Sequence, residues 1–215
     1  MTRTHPLPTS ISSSAQNNMF HAWIIHKAPH HLSKADFEAK MEALVDRAAL
    51  LPIVQKNLVK LEMIFQNDAA DDHIGAYGFP PKEPVVFDVL HSETPEQIYE
   101  IFAAAEVREL FAEGREWGLQ SISSGFSASL DIKVDNPAPK DGAHLFVVYH
   151  VPPTLSSEEH DKRCHEFVES FVEIPACRKH LVRFEEWQSN NLLDNHMEAF
   201  GYSAAGPTFC ESYEI

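Results

Sequence analysis

Apolar residues alternate with polar ones, or cluster in short runs, at seven places along the chain. Alternation has the period of a β-strand, because successive side chains of a strand point to opposite faces. The predicted strands are residues 20–27, 57–66, 83–91, 125–134, 144–151, 180–188 and 208–215. In the first strand Phe20, Ala22, Ile24 and His26 share one face, and His21, Trp23 and Ile25 share the other.

Between these strands, apolar residues recur at intervals of three or four, which predicts amphipathic helices. Ser33, Thr94 and either Ser156 or Ser157 directly precede the three helical patterns. Short hydroxyl side chains at these positions are typical N-caps, because they accept a hydrogen bond from the first turn. Pro52 is expected to end the first helix.

One stretch of the chain occurs twice. Residues 51–92 and 174–215 align without a gap, at a shift of 123 residues (174 minus 51). Both copies contain the pattern D-x-H-x-x-A-x-G, in which His73 of the first copy matches His196 of the second. A period above 100 residues indicates a duplicated domain rather than a solenoid.

The duplication organises the predicted domains. Residues 1–18 are polar and are expected to be a disordered tail. Residues 19–135 have the order β-α-β-β-α-β of a ferredoxin-like unit, 136–142 form a linker, and 143–215 form a second unit, truncated to β-α-β-β. The predicted fold class is α+β. The two tandem units would press their uncovered sheet faces together into an intramolecular α+β barrel.

The net charge and the cysteine content limit the binding partners and the cellular compartment expected for this chain. The formal net charge is −15, which argues against nucleic acid or an anionic membrane as partner. No apolar run approaches the ~20 residues of a membrane span, and no signal peptide is evident. Three cysteines without metal-ligand spacing favour a reducing, cytoplasmic location over a disulfide framework.

Three motifs carry a resemblance to a known family. They are HAWIIHK ahead of a Ser-capped helix, the repeated D-x-H-x-x-A-x-G loop, and AEVRELFAEG before the fourth strand. The chain resembles the dimeric α+β barrel superfamily in its tandem form, and more narrowly the EthD-like proteins common in fungi. That superfamily includes cofactor-free monooxygenases, decarboxylases, polyketide cyclases, haem binders and members without assigned activity, so the fold does not settle the function.

Histidines are the main candidates for chemistry, because thirteen are present and imidazole exchanges protons near neutral pH. The predicted catalytic residues are His26 and His150, at equivalent strand ends, together with His73 and His91. If one loop histidine is catalytic, His73 is favoured, because it belongs to the complete unit. The alternative is structural: strand-end histidines often bond backbone carbonyls, and the repeated Asp, His and Gly could simply shape a turn.

No sequence motif indicates a metal or a cofactor. HExxH, CxxC, GxSxG, a P-loop and GxGxxG after a strand are all missing from the sequence. Zinc hydrolysis, serine or cysteine hydrolysis and nucleotide-dependent chemistry are therefore disfavoured. The prediction is an enzyme without metal or cofactor.

A predicted apolar cavity would receive a small hydrophobic or phenolic substrate. Its expected substrate-binding residues are His21, Trp23, Tyr77, Phe87, Tyr149, Trp187 and His196. Together with the resemblance to EthD-like proteins, the candidate histidines and the apolar cavity predict a fungal secondary-metabolism isomerase or cyclase. Its substrate would be a phenolic polyketide or a chalcone-like compound. An aromatic polyketide decarboxylase, a cofactor-free phenol oxygenase and a non-catalytic ligand-binding or stress-response barrel stay open, as do a monomer and a homodimer.

Overall fold

The computed structural model describes residues 2–5, 19–68, 71, 75–77, 83–136, 144–204 and 208–214. The strands are β1 (Thr2–His5), β2 (Phe20–Lys27), β3 (Lys60–Phe65), β4 (Val85–Ser92), β5 (Ser123–Asp135), β6 (His144–His150), β7 (Arg183–Ser189), β8 (Ser203–Ala204) and β9 (Thr208–Glu214). The α-helices are α1 (Lys34–Ala49), α2 (Pro52–Asn57), α3 (Pro95–Ala103), α4 (Ala105–Ala112), α5 (Leu119–Ile122), α6 (Ser157–Val172), α7 (Pro175–His180) and α8 (Asp194–Phe200). Two short 3₁₀ turns cover Gly75–Tyr77 and Glu113–Trp117.

The chain divides into two compact units whose boundaries differ from the predicted ones. The first unit comprises Met1–Ser127 and Leu192–Ala204, and the second comprises Ala128–Asn191 and Ala205–Ile215. Strand β5 therefore begins in the first unit and ends in the second. The segment Leu192–Ala204 lies in the second copy of the repeat but belongs to the first unit.

In the first unit the strands lie in the order β1-β3-β4-β2-β5. The pairs β1–β3, β3–β4 and β2–β4 are antiparallel. Without the extra edge strand β1, this is the order of a ferredoxin-like unit, and the chain passes through it as β-α-β-β-α-β. All seven predicted strands are present, and the predicted α+β class is confirmed.

Strand β1 corrects the prediction that residues 1–18 are disordered throughout. Thr2–His5 pairs with β3, opposite Leu61 to Ile64. Pairing at a sheet edge uses backbone groups, so a polar sequence can join it without apolar side chains. Arg3 adds ion pairs to Glu42 and to Asp46, the latter at 3.4 Å. The rest of the predicted tail lies outside the described residues.

The helix starts follow the predicted capping signals. The Ser33 hydroxyl accepts a hydrogen bond from the Asp36 amide at 3.1 Å, and the Ser156 hydroxyl accepts one from the Glu159 amide at 3.2 Å. Pro52 differs from its predicted role, because it begins the short helix α2. Proline suits the first turn of a helix, where its missing N–H has no partner to lose.

The sheet of the first unit buries one face against its helices. Phe20, Ala22 and Ile24 of β2 join Phe37 and Met41 of α1 in a single apolar core. Because side chains alternate along a strand, His21, Trp23 and Ile25 lie on the opposite face. The two sets of side chains predicted for the faces of β2 therefore lie on opposite faces, and the face that carries Phe20 packs against the helices.

The segment Leu192–Ala204 joins the first unit through its own apolar side chains. Leu193, Met197 and Phe200 are buried in the core of that unit. Gly201 ends α8 with φ of 91°, a left-handed conformation that fits the alternative in which the repeated Gly shapes a turn. Its counterpart Gly78 lies outside the described residues.

The second unit has its own sheet and core. The end of β5 pairs with β7, β7 pairs with β9, and β9 pairs with β6, all antiparallel. Its buried apolar core is formed by Val168, Leu181, Phe184, Phe209 and Tyr213. This is the predicted β-α-β-β order, with α6 and α7 between β6 and β7.

The backbone of Gly114, the last residue of the AEVRELFAEG motif, lies close to the side chain of Leu119. A Cβ at this position would lie 2.7 Å from Cδ2 and 2.9 Å from Cβ of the buried Leu119. Gly114→Ala should lower the free energy of unfolding by about 1–3 kcal/mol, since the backbone at Leu119 must shift. Denaturant unfolding measures this. Gly75→Ala is the matched control, because a Cβ there would meet nothing within 4 Å; equal stability of the two variants would contradict the prediction.

None of the described helices combines the length and apolar character required to cross a membrane.

Candidate functional site

Two histidines, a glutamate and a lysine form a connected chain of polar contacts in the first unit. His21 Nδ1 lies 2.8 Å from His91 Nδ1, and His91 Nε2 lies 2.9 Å from Glu62 Oε2. Lys60 Nζ pairs with the other oxygen of Glu62 at 2.9 Å. We call His21, His91 and Glu62 the histidine relay.

Strand register brings the relay together. His21 on β2 is directly opposite His91 on β4, and His91 is directly opposite Lys60 on β3. Glu62, two residues beyond Lys60, therefore lies on the same face of the sheet. The two imidazole rings meet edge to face, with centroids 4.9 Å apart and planes at 88°.

The relay carboxylate is ionised over the whole physiological range. Burial alone raises the pKa of Glu62, but the hydrogen bond from His91 and the charge of Lys60 outweigh burial and lower the pKa to about 2. An ionised carboxylate only accepts hydrogen bonds. His91 must therefore carry a proton on Nε2 and donate it to Glu62.

Counting protons identifies the basic atom of the relay. In neutral His91, a proton on Nε2 leaves the lone pair on Nδ1. That lone pair accepts from Nδ1–H of His21, so neutral His21 carries its lone pair on Nε2. The relay thus orients His21 with Nε2 as the proton acceptor and stabilises positive charge through Glu62.

The relay passes from the surface into the interior. The side chain of Lys60 is 34% exposed and that of Glu62 is 19% exposed, whereas His21 is 2% exposed. A proton taken up at His21 can therefore move toward the more exposed end through His91. Buried proton acceptors need such a path to exchange with solvent.

Aromatic side chains share the sheet face of His21. Trp23 stacks on Phe126 with centroids 6.4 Å apart, and it meets Phe87 edge to face at 6.3 Å. Phe87 is directly opposite Ile25 in the β2–β4 ladder, two positions along that face from Trp23. The sheet face that carries His21 therefore continues along β2 and β4 as an aromatic surface.

His26 lies on the other face of β2, within the helix-facing core. It is fully buried, with Nδ1 2.7 Å from Ser123 Oγ and Nε2 3.2 Å from Asp88 Oδ2. Ser123 donates its only hydroxyl proton to the carbonyl of Leu119 at 2.6 Å, so it must accept from His26 Nδ1–H. This Ser–His–Asp arrangement cannot activate the serine, because the imidazole is a donor toward it.

The structure therefore separates the histidines predicted to be catalytic. His26 and His91 lie on opposite faces of the sheet in the first unit, and His150 is an exposed residue of the second unit. His73, the favoured loop histidine, lies outside the described residues, as does the side chain of Tyr77. The catalytic roles of His26, His73 and His150 stay predictions.

His196, predicted to bind substrate, stacks on a helix. Its ring lies parallel to that of Tyr99 in α3, with centroids 4.0 Å apart and planes at 7°. The Tyr99 hydroxyl also donates to the carbonyl of Leu192 at 3.1 Å. Both contacts hold the segment Leu192–Ala204 on the helices of the first unit.

Tyr149 and Trp187 belong to the second unit and lie on opposite faces of its sheet. Tyr149 packs on the core that contains Val168, and its hydroxyl donates to Glu211 at 3.0 Å. Trp187 is buried opposite Cys210, on the face away from that core. The predicted substrate-binding residues are thus distributed over both units.

Two solved structures match most of this chain. A crystal structure of an anthrone oxidase-like protein matches with a TM-score of 0.54 at 9% identity, covering 93% of this chain and 74% of that one. A candidate monooxygenase from Fusobacterium nucleatum subsp. nucleatum matches with a TM-score of 0.48 at 9% identity, covering 92% and 75%. No protein-family model and no curated protein matches the chain significantly.

The chain shares its fold with the anthrone oxidase-like protein. The predicted α+β fold class is confirmed, whereas the resemblance to the dimeric α+β barrel superfamily stays a prediction. At 9% identity the likeness concerns the fold alone, so residue roles must come from the geometry of this chain.

The cysteines and the possible metal ligands would be alternative sites of chemistry. Burial, with the nearby charge of Glu211, raises the pKa of the Cys164 thiol to about 11, and burial raises that of Cys210 well above its usual value. Neither thiol is therefore a ready nucleophile. Among the described residues, no three His, Cys, Asp or Glu side chains are arranged to hold a metal ion.

Sequence reasoning named His21 and His91 but missed Glu62 and Lys60. A signal was present, because Glu62 and Lys60 alternate with the apolar Leu61 and Met63 on a predicted strand. What the pattern lacks is the register between strands. Register alone decides whether a carboxylate on β3 faces a histidine on β4.

Proposed function

We propose that this chain is a cofactor-independent acid–base enzyme in which His21 removes a proton from an aromatic substrate. The single observation that carries the proposal is the relay from Glu62 through His91 to His21. Its geometry is that of an oriented base: a carboxylate fixes the tautomer of one imidazole, which fixes the next. His21 is the candidate catalytic residue, and His91 and Glu62 are positioning residues.

The proposed substrate is a phenolic or polyketide-type ketone with an acidic C–H or O–H. Trp23 and Phe87, on the same sheet face as His21, support a flat aromatic ring, and the fold neighbour described as anthrone oxidase-like supports the same class. We further propose a role in fungal secondary metabolism, as the EthD-like resemblance implies. Cytoplasmic location belongs to the same proposal.

The proton transfer balances within the relay. The substrate C–H or O–H bond breaks, its proton goes to His21 Nε2, and its electron pair stays on the substrate as an enolate or phenolate. His21 then passes its Nδ1 proton to His91 Nδ1. Positive charge comes to rest on His91, 2.9 Å from the Glu62 carboxylate. The electron-rich intermediate can then close a ring or isomerise, with the relay returning the proton.

The same anion would also be the intermediate of a decarboxylase or of a cofactor-free oxygenase. In the decarboxylase the proton is returned after loss of carbon dioxide, and in the oxygenase the anion reacts with dioxygen. The oxygenase is the second candidate, because the fold neighbour with a TM-score of 0.54 is described as anthrone oxidase-like. A ligand-binding barrel would perform none of these steps.

Proton abstraction is tested with the full-length protein and a panel of anthrone-type and chalcone-type phenols in deuterated buffer. We expect deuterium to enter the acidic position of at least one compound faster than in buffer alone. Mass spectrometry of products formed with and without dioxygen then separates cyclisation, decarboxylation and oxygenation. Oxygen consumption is followed in the same reactions.

His30→Gln is the control, because His30 is an exposed loop residue outside the proposed site. This variant should exchange deuterium at the wild-type rate. Binding detected by quenching of tryptophan fluorescence, without deuterium exchange in any compound, would refute the enzyme and support a ligand-binding protein.

A further inference from the structure

The helix-facing core of the first unit contains a cavity of about 40 Å³. Most of its wall is apolar, including Ile24, Phe102 and Phe200. Two polar residues also line it, Asp88 of β4 and Tyr202 of the segment Leu192–Ala204. This cavity lies on the opposite side of the sheet from the histidine relay, so it is not part of the proposed active site.

The two polar residues are almost fully buried, each 3% exposed. Asp88 uses Oδ2 to contact His26, whereas its Oδ1 has no hydrogen-bond partner among the residues that the structure describes. The Tyr202 hydroxyl has none within the same described residues. A buried polar atom left without a partner is costly, and native proteins commonly satisfy such atoms with ordered water.

We propose that this cavity is a binding site for ordered water, which joins the Tyr202 hydroxyl to Oδ1 of Asp88. A cavity needs about 10–15 Å³ to hold one water molecule, so the volume is sufficient for one or two. In this proposal the Tyr202 hydroxyl and Asp88 Oδ1 are the two polar partners of the water. The apolar remainder of the wall offers a water no hydrogen bond, which confines it to the polar end.

The water completes a polar network across four chain segments. The network runs from Ser123 through His26 to Asp88, and then through water to Tyr202. Tyr202 stays a neutral donor, because burial and the nearby charge of Asp88 hold the pKa of its phenol well above the usual value. The network thereby fastens the segment Leu192–Ala204, which comes from the second copy of the repeat, to the sheet of the first unit.

Tyr202→Phe distinguishes a hydrated cavity from a dry one, because the two cases change the unfolding equilibrium constant in opposite directions or only in the hydrated case. If water joins the hydroxyl to Asp88, removing the hydroxyl should raise the unfolding equilibrium constant about fivefold, the net value of a hydrogen bond. In a dry cavity the same change removes an unsatisfied group, so the variant would be as stable as the wild type or more stable. That result would overturn the proposal.

Tyr99→Phe is the matched control, because it removes a phenol hydroxyl that contacts the same segment but lies near the surface. We expect it to change the unfolding constant less than Tyr202→Phe does. A crystal structure of the full chain gives the direct readout. Water density within about 3.2 Å of both oxygens supports the site, and xenon bound at the polar end in pressurised crystals would overturn it.

Discussion

Replacing His21 with glutamine is expected to lower kcat for proton abstraction by about 10²–10⁴-fold, the usual contribution of a general base. KM should change little, because glutamine preserves most of the volume of the imidazole beside Trp23. The physical reason is the loss of Nε2, the nitrogen that the relay leaves unprotonated. Initial rates of deuterium exchange measure the effect. A variant with the wild-type kcat would remove His21 from the mechanism.

Glu62→Gln tests whether the relay acts through charge or only through packing. Glutamine can accept the hydrogen bond of His91 but cannot stabilise its positive charge. Since a hydrogen bond to a charged group contributes about 1.5–3 kcal/mol, kcat should fall about 10- to 100-fold. KM should change little, because Glu62 does not contact the substrate in the proposed mechanism. A purely structural role would instead raise KM and lower the free energy of unfolding together with kcat.

Most of the fold could be predicted because it depends on local patterns. Alternation identified seven strands, and short hydroxyl residues marked helix starts such as Ser33 and Ser156. These signals work because a strand or a helix has a fixed period that the sequence must match. Pro52 shows the limit: proline both ends a helix and begins one, and only the neighbouring turns decide which.

Unit boundaries could not be predicted from chain order. The repeat indicated that Leu193 and Phe200 belong with the second copy, yet they pack in the core of the first unit. A buried apolar side chain is satisfied by any complementary core. Internal similarity therefore shows how the chain was duplicated but not which core each segment joins.

The candidate site was predicted only in part, because the sequence does not specify the register between neighbouring strands. Histidine content pointed to proton transfer, and His91 was named, but His21 was expected only to contact substrate. Its contact with His91 depends on the cross-strand register of β2 and β4. The strand pattern specifies a face for each residue and leaves its neighbour on the next strand open.

Two buried carboxylates in the second unit predict that the stability of this unit depends on pH. Glu211 on β9 is directly opposite Glu186 on β7, and they are 1% and 6% exposed. Glu186 pairs with Lys133 at 3.2 Å and with His165 at 3.5 Å. Glu211 instead accepts hydrogen bonds from the neutral phenols of Tyr149 and Tyr213.

The environment of Glu211 favours its protonated form. Burial raises the pKa of its carboxyl group, the two tyrosine hydrogen bonds oppose that effect, and the charge of Glu186 raises the pKa further. Because the folded pKa lies above the unfolded value, folding takes up a proton. The stabilisation is complete below the unfolded pKa of about 4.5 and is lost as the pH rises through the folded pKa.

Glu211→Gln should therefore stabilise the second unit at pH 8, by roughly 1–2 kcal/mol, the size of a buried polar penalty. Glutamine resembles the protonated acid, and its oxygen can still accept from Tyr149 and Tyr213. The advantage should shrink as the pH falls toward 4.5, where the wild-type carboxyl is itself protonated. Trp187 is the only tryptophan of the second unit. In a background with Trp23 and Trp117 replaced by phenylalanine, its fluorescence therefore reports the denaturant unfolding of this unit.

Glu158→Gln is the matched control, because Glu158 lies exposed in the first turn of α6 in the same unit. Its replacement removes the same charge from the unit but relieves no buried carboxylate, so the unfolding free energy should stay within about 0.5 kcal/mol of wild type. If both variants gained equal stability at pH 8, the cause would be the overall charge of −15 rather than the Glu211–Glu186 pair. If Glu211→Gln instead lost stability at pH 8, Glu211 would be ionised in the folded protein, and its two tyrosine hydrogen bonds would outweigh burial.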